Sequence, residues 1–223
     1  GIYNRMANKA RSPEMINFQK QQMSKAALEI IVREGYDSLS IRKLAGKLRV
    51  SQSTIYNYFK NRDEIYIYVL NYGFELFYRE LENAYQSVDD PVEKLRALCR
   101  ASVSFGIRER DLIFIMLILD TPKYLDYLET EYEPFMRVEL SNALKCKDIF
   151  ARVIKEISEL RRTIPGKDIE YRTFFVITRL IGLVTVHNNN LIKYMVENID
   201  GAIERALQDI ISPFESGGGK SGR

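Results

Sequence analysis

The side-chain chemistry that metalloenzymes need is scarce in this chain. Its 223 residues contain one histidine, His187, and two cysteines, Cys99 and Cys146. These residues cannot build the usual histidine-rich metal site, and a Glu-x-x-His iron-binding pattern is absent because Val184 stands three residues before His187. The cysteines lack CxxC spacing, which favours reduced thiols over a disulfide or a metal pair. We therefore expect no metal, no cofactor and no catalytic site.

Long apolar runs are missing as well. The longest, Leu112–Leu119, has eight residues, whereas a membrane-spanning helix needs roughly 20. No secretory signal is recognised, so we expect a cytoplasmic protein that does not contact a membrane. Signs of strand pairing are scarce, while helix starts recur along the chain. Because 46% of the residues are apolar, a sizeable core is expected, and the sequence predicts an all-α fold of about nine helices.

Capping residues, prolines and glycines divide the chain into predicted helices. The predicted starts are Ser12–Pro13, Asn61, Asp90–Pro91, Asp111, Glu133–Pro134 and Asp168, and the predicted ends are Gly35, about Arg162, about His187 and Ser212–Pro213. We predict a head at residues 12–66, a body at residues 67–213 and a disordered tail at residues 214–223, and we expect the first eleven residues to be disordered as well. The tail sequence GGGKS is not a phosphate-binding loop, because Phe214 occupies the position of the required first glycine.

Two short helices, each with its own cap, are predicted within residues 40–59. Ser40 caps the first helix, whose apolar residues recur at helical spacing, namely Ile41, Leu44, Ala45 and Leu48. Ser51 caps the second helix, predicted at Gln52–Phe59 and anchored by Ile55, Tyr58 and Phe59. We expect Val50 to be a buried hinge between the two helices.

The other side of the second helix carries short, uncharged hydrogen-bonding residues, namely Gln52, Ser53, Thr54 and Asn57. Gln and Asn side chains pair bidentately with adenine, and Thr can contact a thymine methyl group. The segment from Leu39 to Arg62 contains six basic residues and no acidic residue. Residues 1–65 hold 12 basic and 6 acidic side chains, and the remainder holds 21 and 24, so a basic head precedes an acidic body. This combination predicts a DNA-binding helix-turn-helix.

The pattern resembles the amino-terminal domain of the tetracycline-repressor (TetR) family of transcriptional regulators. The resemblance covers about the first third of the chain and rests on the spacing of Glu34, Gly35, Ser40, Leu44, Ala45, Val50, Ser51, Thr54, Ile55, Tyr56, Tyr58, Phe59 and Ile65. Two positions depart from the family pattern, which usually has a small residue at Leu48 and glycine at Arg49. If the turn needs a positive φ at Arg49, the backbone penalty is on the order of 1 kcal/mol or more, which a phosphate contact would offset.

The resemblance also implies roles for individual residues of the head. We expect contacts to phosphate from Ser40, Ser51, Tyr56, Tyr58 and Lys60, and contacts to bases from Gln52, Ser53, Thr54 and Asn57. Arg42 and Lys43 add positive charge to the same surface. For Tyr58 an alternative stays open, because its ring could simply pack against the first helix.

For the body, the resemblance implies a homodimer formed through the last two long helices and a pocket for an effector. A stripe at helical spacing on the penultimate helix is the predicted dimer interface, and it consists of Phe175, Arg179, Gly182, Leu183 and Val186. The candidate pocket residues are Phe105, Phe114, Met116, Tyr132, Phe174 and His187, although ordinary core packing would explain each of them. We expect a partly apolar effector that shifts the dimer away from the spacing that fits a palindromic operator, as in a repressor.

Two other kinds of function remain open from sequence. The protein could be a helical adaptor whose basic head docks on an acidic protein partner, or an enzyme with a pocket lined by tyrosines and carboxylates. A steep dependence of affinity on salt, with competition by bulk DNA, would separate DNA binding from the adaptor, and turnover assays would address the enzyme.

Overall fold

Ten α-helices make up the part of the chain that the computed structural model describes, residues 12–161 and 168–215. Their bounds are α1 Pro13–Glu34, α2 Ile41–Leu48, α3 Gln52–Tyr56, α4 Arg62–Gln86, α5 Pro91–Arg108, α6 Arg110–Ile113, α7 Glu133–Arg161, α8 Ile169–Asn188, α9 Ile192–Met195 and α10 Ile199–Glu215. Short 3-10 turns at Tyr36–Ser38 and Tyr124–Tyr127 and a π-helical segment at Phe114–Ile118 lie between some of them. These residues include no strand, which confirms the all-α prediction.

The first three helices pack around an apolar core at the amino-terminal end of the molecule. Ala27 and Ile31 of α1, Leu44 of α2 and Ile55 of α3 are completely buried there. Ile41 and Ala45 of α2 are buried as well and Leu48 is partly buried against the core, as the three- and four-residue spacing predicts. The head is therefore held together by the apolar stripes that its sequence displays.

Helix α4 connects the head to the body and runs parallel to α7. Three hydrogen-bonded pairs join the two helices or the residues just before them, and each pair is separated by 71 residues: Asn61 with Tyr132, Asn71 with Asn142, and Tyr85 with Glu156. Helix α5 packs against both α4 and α7, α8 packs against α5 and α7, and α10 packs against α5. The core of the body thus lies between α4, α5, α7 and α8.

Most of the predicted helix starts are confirmed, and side-chain caps fix the starts of α1 and α5. The Ser12 hydroxyl accepts a hydrogen bond from the Met15 amide at 3.3 Å. The Asp90 carboxylate accepts from the amides of Val92 and Glu93 at 2.9 and 3.0 Å. Helices α7 and α8 begin at Glu133 and just after Asp168, close to the predicted positions.

The carboxyl-terminal end of the chain differs from the prediction. Helix α10 passes through Pro213 and ends at Glu215, beyond the predicted end near Ser212. Proline cannot donate a backbone hydrogen bond, but burial of Phe214, which is 2% exposed, offsets that loss. The first two residues of the predicted tail therefore belong to α10. The rest of the predicted tail, residues 216–223, and the predicted disordered start, residues 1–11, lie outside the described part. The four-residue α9, which raises the number of described helices above nine, was not predicted.

None of the described helices is long and apolar enough to cross a membrane. Within residues 12–161 and 168–215, the His, Cys, Asp and Glu side chains form no group that could hold a metal ion.

Candidate DNA-binding surface and effector cavity

Serine and asparagine caps fix the two short helices of the head and the start of α4. The Ser40 hydroxyl accepts from the Lys43 amide at 3.2 Å, and the Ser51 hydroxyl accepts from the Thr54 amide at 3.2 Å. The Asn61 side chain accepts from the Glu64 amide at 3.1 Å. All three caps are as predicted, and each satisfies a helix-terminal amide that would otherwise need water.

The turn between α2 and α3 is closed by a residue in the left-handed region. Arg49 has φ +56° and ψ +41°, and the Val50 amide donates to the Ala45 carbonyl at 3.0 Å. The turn therefore has the positive φ that glycine adopts easily, although an arginine occupies the position here. The prediction of a buried Val50 is wrong, since this residue is 39% exposed. Leu48 packs against the core instead, so the turn carries Val50 over the surface of the head.

Helix α3 is shorter than predicted but keeps its polar face outward. It ends at Tyr56 rather than Phe59, and a turn follows in which the amides of Tyr58 and Phe59 both donate to the Ile55 carbonyl. Ile55 and Phe59 are buried at 0% and 2% exposure, which anchors both ends of this short segment.

The predicted base-contacting residues share one surface. Gln52, Ser53 and Asn57 are exposed, whereas Thr54 is only half-exposed. The Thr54 and Ser51 hydroxyls lie 2.8 Å apart in a hydrogen bond, which restrains Thr54. Tyr56 stands on the outer side with 55% exposure. The half-buried Tyr58 packs against the core, which agrees with the packing alternative, and its contact to phosphate stays a prediction.

The positive charge of the head is partly neutralised by α1 and its following turn. Lys43 pairs with Glu34, and Lys47 pairs with Glu29 at 2.7 Å. The segment Leu39–Arg62, which has no acidic residue of its own, therefore pairs with acidic residues of α1. A count of the charges within the segment could not reveal these pairs. Lys60 pairs with Glu64 at 3.7 Å and remains 79% exposed at its side chain.

Two arginines flank α3 without such neutralisation. Arg42 and Arg49 are exposed and form no ion pair with any residue of the described ranges. Arg42 lies on α2, and Arg49 lies in the turn that leads into α3. Arg49 was not among the expected DNA contacts. The sequence suggested only that a phosphate contact would offset backbone strain at this residue.

A tyrosine cluster ties the head to the body, and we call it the junction: Tyr36, Asp63 and Tyr127. The Tyr36 and Tyr127 hydroxyls both donate to the same carboxylate oxygen of Asp63 at 2.8 Å. Burial raises the pKa of Tyr36 to about 12 and moves the pKa of Tyr127 still further above the usual value for tyrosine. Both hydroxyls therefore remain protonated donors in the neutral range.

Two more contacts reinforce this connection from the same stretch of the body. The Tyr66 hydroxyl donates to the Pro122 carbonyl at 2.6 Å, and the Asn61 amide nitrogen donates to the Tyr132 hydroxyl. Residues 121–132 thus hold the first turn of α4 and the residue that caps it. Tyr132, a predicted pocket residue, belongs to this connection.

The body contains an apolar cavity of about 170 Å³ between α4, α5, α7 and α8. The π-helical segment and α6 close one side of it. The lining residues are Phe74, Phe77, Ser102, Ile113, Leu117, Ala143, Cys146, Lys147, Phe150, Ile177, Leu180, Ile181 and Val184. A small cavity with apolar walls among the helices of a bundle is a typical small-molecule site.

None of the six predicted pocket residues lines this cavity. Phe105 is completely buried and stacks on Phe77, with ring centroids 4.8 Å apart. Met116 is buried against Gly73, where an added Cβ would lie 2.6 Å from the Met116 sulfur.

The remaining candidates lie elsewhere as well. Phe174 is 62% exposed on α8, and the His187 ring contacts the Asn188 side chain at 3.2 Å. Phe114 begins the π-helical segment outside the cavity wall. The lining lies mainly on the inner faces of α4, α5, α7 and α8, with Ile113 and Leu117 added from α6 and the π-helical segment, and a single sequence does not show which faces meet.

The predicted dimer stripe lies on the outer side of α8. Arg179 and Gly182 are exposed, and a Cβ added to Gly182 would meet no atom within 4 Å. The Arg179 guanidinium stacks over the Phe175 ring at 4.0 Å from its centroid. Leu183 and Val186 are half-buried. The five residues thus follow one partly exposed, largely apolar face.

Comparison with known proteins agrees with this architecture. Residues 24–69 match the family model described as bacterial regulatory proteins, tetR family. The HTH-type transcriptional regulator HbdR of Aromatoleum sp. is 26% identical over 83 residues, which cover 37% of this chain and 36% of HbdR. An uncharacterised HTH-type transcriptional regulator of Haemophilus influenzae is 33% identical over 78 residues, which cover 35% of this chain and 42% of that protein. The sequence matches thus span well under half of these relatives.

The fold extends the likeness to most of the chain. The transcriptional regulator FadR from Bacillus subtilis, whose structure contains stearoyl-CoA, superimposes with a TM-score of 0.66 at 20% identity, covering 86% of this chain and 97% of FadR. At that identity the likeness concerns the fold. Residues 24–69 therefore match the helix-turn-helix domain of the tetR family of bacterial regulatory proteins, and the body resembles FadR in its fold.

Proposed function

We propose that the protein is a transcriptional regulator that reads an operator in double-stranded DNA with the exposed face of α3. The observation that carries the proposal is the outward polar surface formed by Gln52 and Ser53 of α3 and by Asn57 just after it, on a segment anchored by the buried Ile55 and Phe59. Short amide and hydroxyl side chains on a capped helix suit the edges of bases in the major groove. The half-buried Thr54 contributes less than its exposed neighbours.

The surrounding residues supply the phosphate contacts in this proposal. These residues are Ser40, Arg42, Lys43, Ser51, Tyr56, Tyr58 and Lys60, with Arg49 added from its position in the turn. The Ser40 hydroxyl accepts a hydrogen bond from the Lys43 amide, so its own proton remains available for a phosphate oxygen, whereas the Ser51 hydroxyl also shares hydrogen bonds with the Ser53 and Thr54 hydroxyls. Arg42 and Arg49 give the strongest attraction because they carry no competing ion pair in the described part of the chain.

A homodimer built on α8 and α10 completes the DNA-binding unit. The partly exposed stripe with Phe175, Gly182 and Val186 offers an apolar face that a second copy would cover. Two heads related by a twofold axis would bind the two halves of a palindromic operator. Such a regulator acts in the cytoplasm, where bacterial DNA lies.

The cavity gives the regulator a site for an effector, and the structure offers a route from that site to the head. Ile113 and Leu117 line the cavity from α6 and the π-helical segment. The chain then continues into residues 121–132, which hold the start of α4 through the junction. An effector that displaces the wall would shift this connection and change the spacing of the two heads, as expected for an inducible repressor.

The proposal is tested by selecting duplexes from a random library with the purified full chain. We expect enrichment of a palindromic sequence. Asn57→Ala should weaken binding to the selected duplex about 10- to 100-fold, because a base contact contributes roughly 1–3 kcal/mol of discrimination. Ser104→Ala, at an exposed position on α5 far along the body, is the matched control and should bind as the parent does. Equal weakening by both variants, or no enriched sequence, would contradict the proposal.

A further inference from the structure

We propose that the cavity of the body binds a small, uncharged, apolar molecule of about the size of a substituted benzene ring. This inference rests on the proposed effector function and specifies the chemical class of the effector.

The size of the cavity sets the size of the ligand. Its volume is about 170 Å³, close to the roughly 150 Å³ of an engineered cavity lined by Leu, Ile and Phe that stays dry and binds benzene. A single aromatic ring with one or two small substituents fills such a space. A long acyl chain does not fit without displacing the core residues of the wall.

The walls of the cavity match an apolar ring. Phe74, Phe77 and Phe150 contribute aromatic surface, and isoleucine, leucine, valine and alanine side chains from α6 to α8 contribute the rest. Aromatic rings stack in offset or edge-to-face arrangements that add to the area they bury. An unfilled apolar space of this size also forfeits contacts that a ligand would restore.

The polar groups of the lining are already engaged with the protein. The Ser102 hydroxyl donates to the Leu98 carbonyl at 2.8 Å, and the Cys146 thiol donates to the Phe74 carbonyl at 3.7 Å. Burial raises the pKa of the Cys146 thiol to about 12, so this sulfur stays neutral. A polar or charged ligand buried here would give up its hydration without gaining a hydrogen-bond donor.

The one charged residue of the lining lies at the opening rather than inside. Lys147 is exposed and pairs with Asp148 at 3.2 Å, so water and a carboxylate already satisfy it. Leu117 of the π-helical segment, which also lines the cavity, is 40% exposed. A ligand can therefore enter from solvent beside the π-helical segment while the core of the body stays folded.

Three probes of similar size test the ligand class on the full chain without DNA: toluene, phenol and benzoate. We expect toluene at ten times its Kd to raise Tm by about 3–6 °C, since it binds only the folded protein. Phenol should give a smaller rise, and benzoate should give none. Ala143→Phe should abolish the toluene shift by filling the cavity, whereas Ala151→Phe, on the same helix outside the lining, should leave the toluene-induced shift intact.

Methyl NMR provides a measurement on the unaltered chain, which remains valid if Ala143→Phe does not fold. We expect toluene to shift the resonances of Ile177 and Ile181 in the cavity wall and to leave Ile30 in the head unchanged. The inference would be overturned if toluene did not shift the resonances of the residues in the cavity wall. It would also be overturned if benzoate bound more tightly than toluene and Lys147→Gln removed that binding.

The outcome is separable from the proposed function. Toluene binding in the cavity with unchanged affinity for a selected duplex would support the inference while the proposed effector coupling failed. DNA binding that responds only to charged ligands would overturn the inference while the regulator function stood.

Discussion

At the scale of the residue, Arg49 is the position where local backbone preference and proposed function conflict. It adopts a left-handed conformation with φ +56°, which glycine adopts without steric cost. An arginine there costs on the order of 1 kcal/mol of stability. Its exposed side chain has no ion-pair partner in the ranges described, which leaves the charge available to a phosphate.

We expect Arg49→Gly to raise the free energy of unfolding by about 0.5–1 kcal/mol, because the strain is removed. The same change should weaken DNA binding and reduce the salt slope by about 1, because a phosphate contact is lost. Urea unfolding with an unchanged m-value measures the first effect. Arg42→Gly is the control, since the same exchange inside α2 should lower stability. A loss of stability in both variants would contradict the strain at Arg49.

The junction predicts how stability responds to alkaline pH. Burial raises the pKa of Tyr36 from 10.0 to about 12 in the folded protein. The stability that this difference contributes is fully present below pH 10 and is lost as pH rises towards 12, because the unfolded chain ionises first.

Thermal unfolding measured between pH 9 and pH 12 checks this expectation. Tyr36→Phe should show a shallower decline of Tm with pH than the parent chain, with a lower Tm at neutral pH because one hydrogen bond to Asp63 is lost. Tyr194→Phe, at a position 88% exposed, should follow the parent. Parallel curves for the parent and Tyr36→Phe would show that the hydroxyl is not held as the structure indicates.

At the scale of the element, the helices with polar caps and regular apolar stripes were predictable, and the way they meet was not. Ser40, Ser51 and Asn61 cap helices as their positions in the sequence predicted. The parallel course of α4 and α7 joins residues 71 positions apart, and no local pattern encodes such a pairing. The cavity depends on it, which explains why the predicted pocket residues lie elsewhere.

The shorter form of α3 has a similar origin. Tyr58 and Phe59 have helical spacing from Ile55, but their amides share the Ile55 carbonyl in a tight turn that leads directly into the Asn61 cap. The start of one helix therefore limits the length of the preceding one. Spacing alone could not indicate this, because it is the same for a helix and for a turn that buries the same side chains.

The proposed dimer interface on the outer face of α8 can be tested by measuring the oligomeric state of the chain. We expect Gly182→Arg to convert a dimer of twice 26.0 kDa into a monomer at micromolar concentration, because the long side chain would enter the space where a second helix approaches. Light scattering measures the mass. Ser104→Arg, at an exposed position on α5, should remain dimeric. A monomeric parent chain would contradict the proposed interface outright.

At the scale of the whole molecule, charge is divided between the two ends of the sequence. The first 65 residues hold 12 basic and 6 acidic side chains, whereas the remainder holds 21 and 24. Because DNA is negatively charged, it attracts the basic head and repels the acidic body. Electrostatics therefore orients the protein before it contacts DNA. This division was visible in the sequence, but the pairing of Lys43 and Lys47 with acids of α1 was not, because it depends on how α1 and α2 pack.

The most direct test of the central claim is a salt titration of affinity for a selected duplex. We expect log affinity to fall linearly and steeply with log salt, and Lys60→Ala to flatten the slope by about 1 because one phosphate contact is lost. Lys155→Ala, an exposed lysine of the body that is paired with a glutamate four residues on, should leave the slope unchanged. Affinity that is independent of salt, or equal slopes for the parent chain and Lys60→Ala, would contradict the claim that this surface of the head binds the DNA backbone.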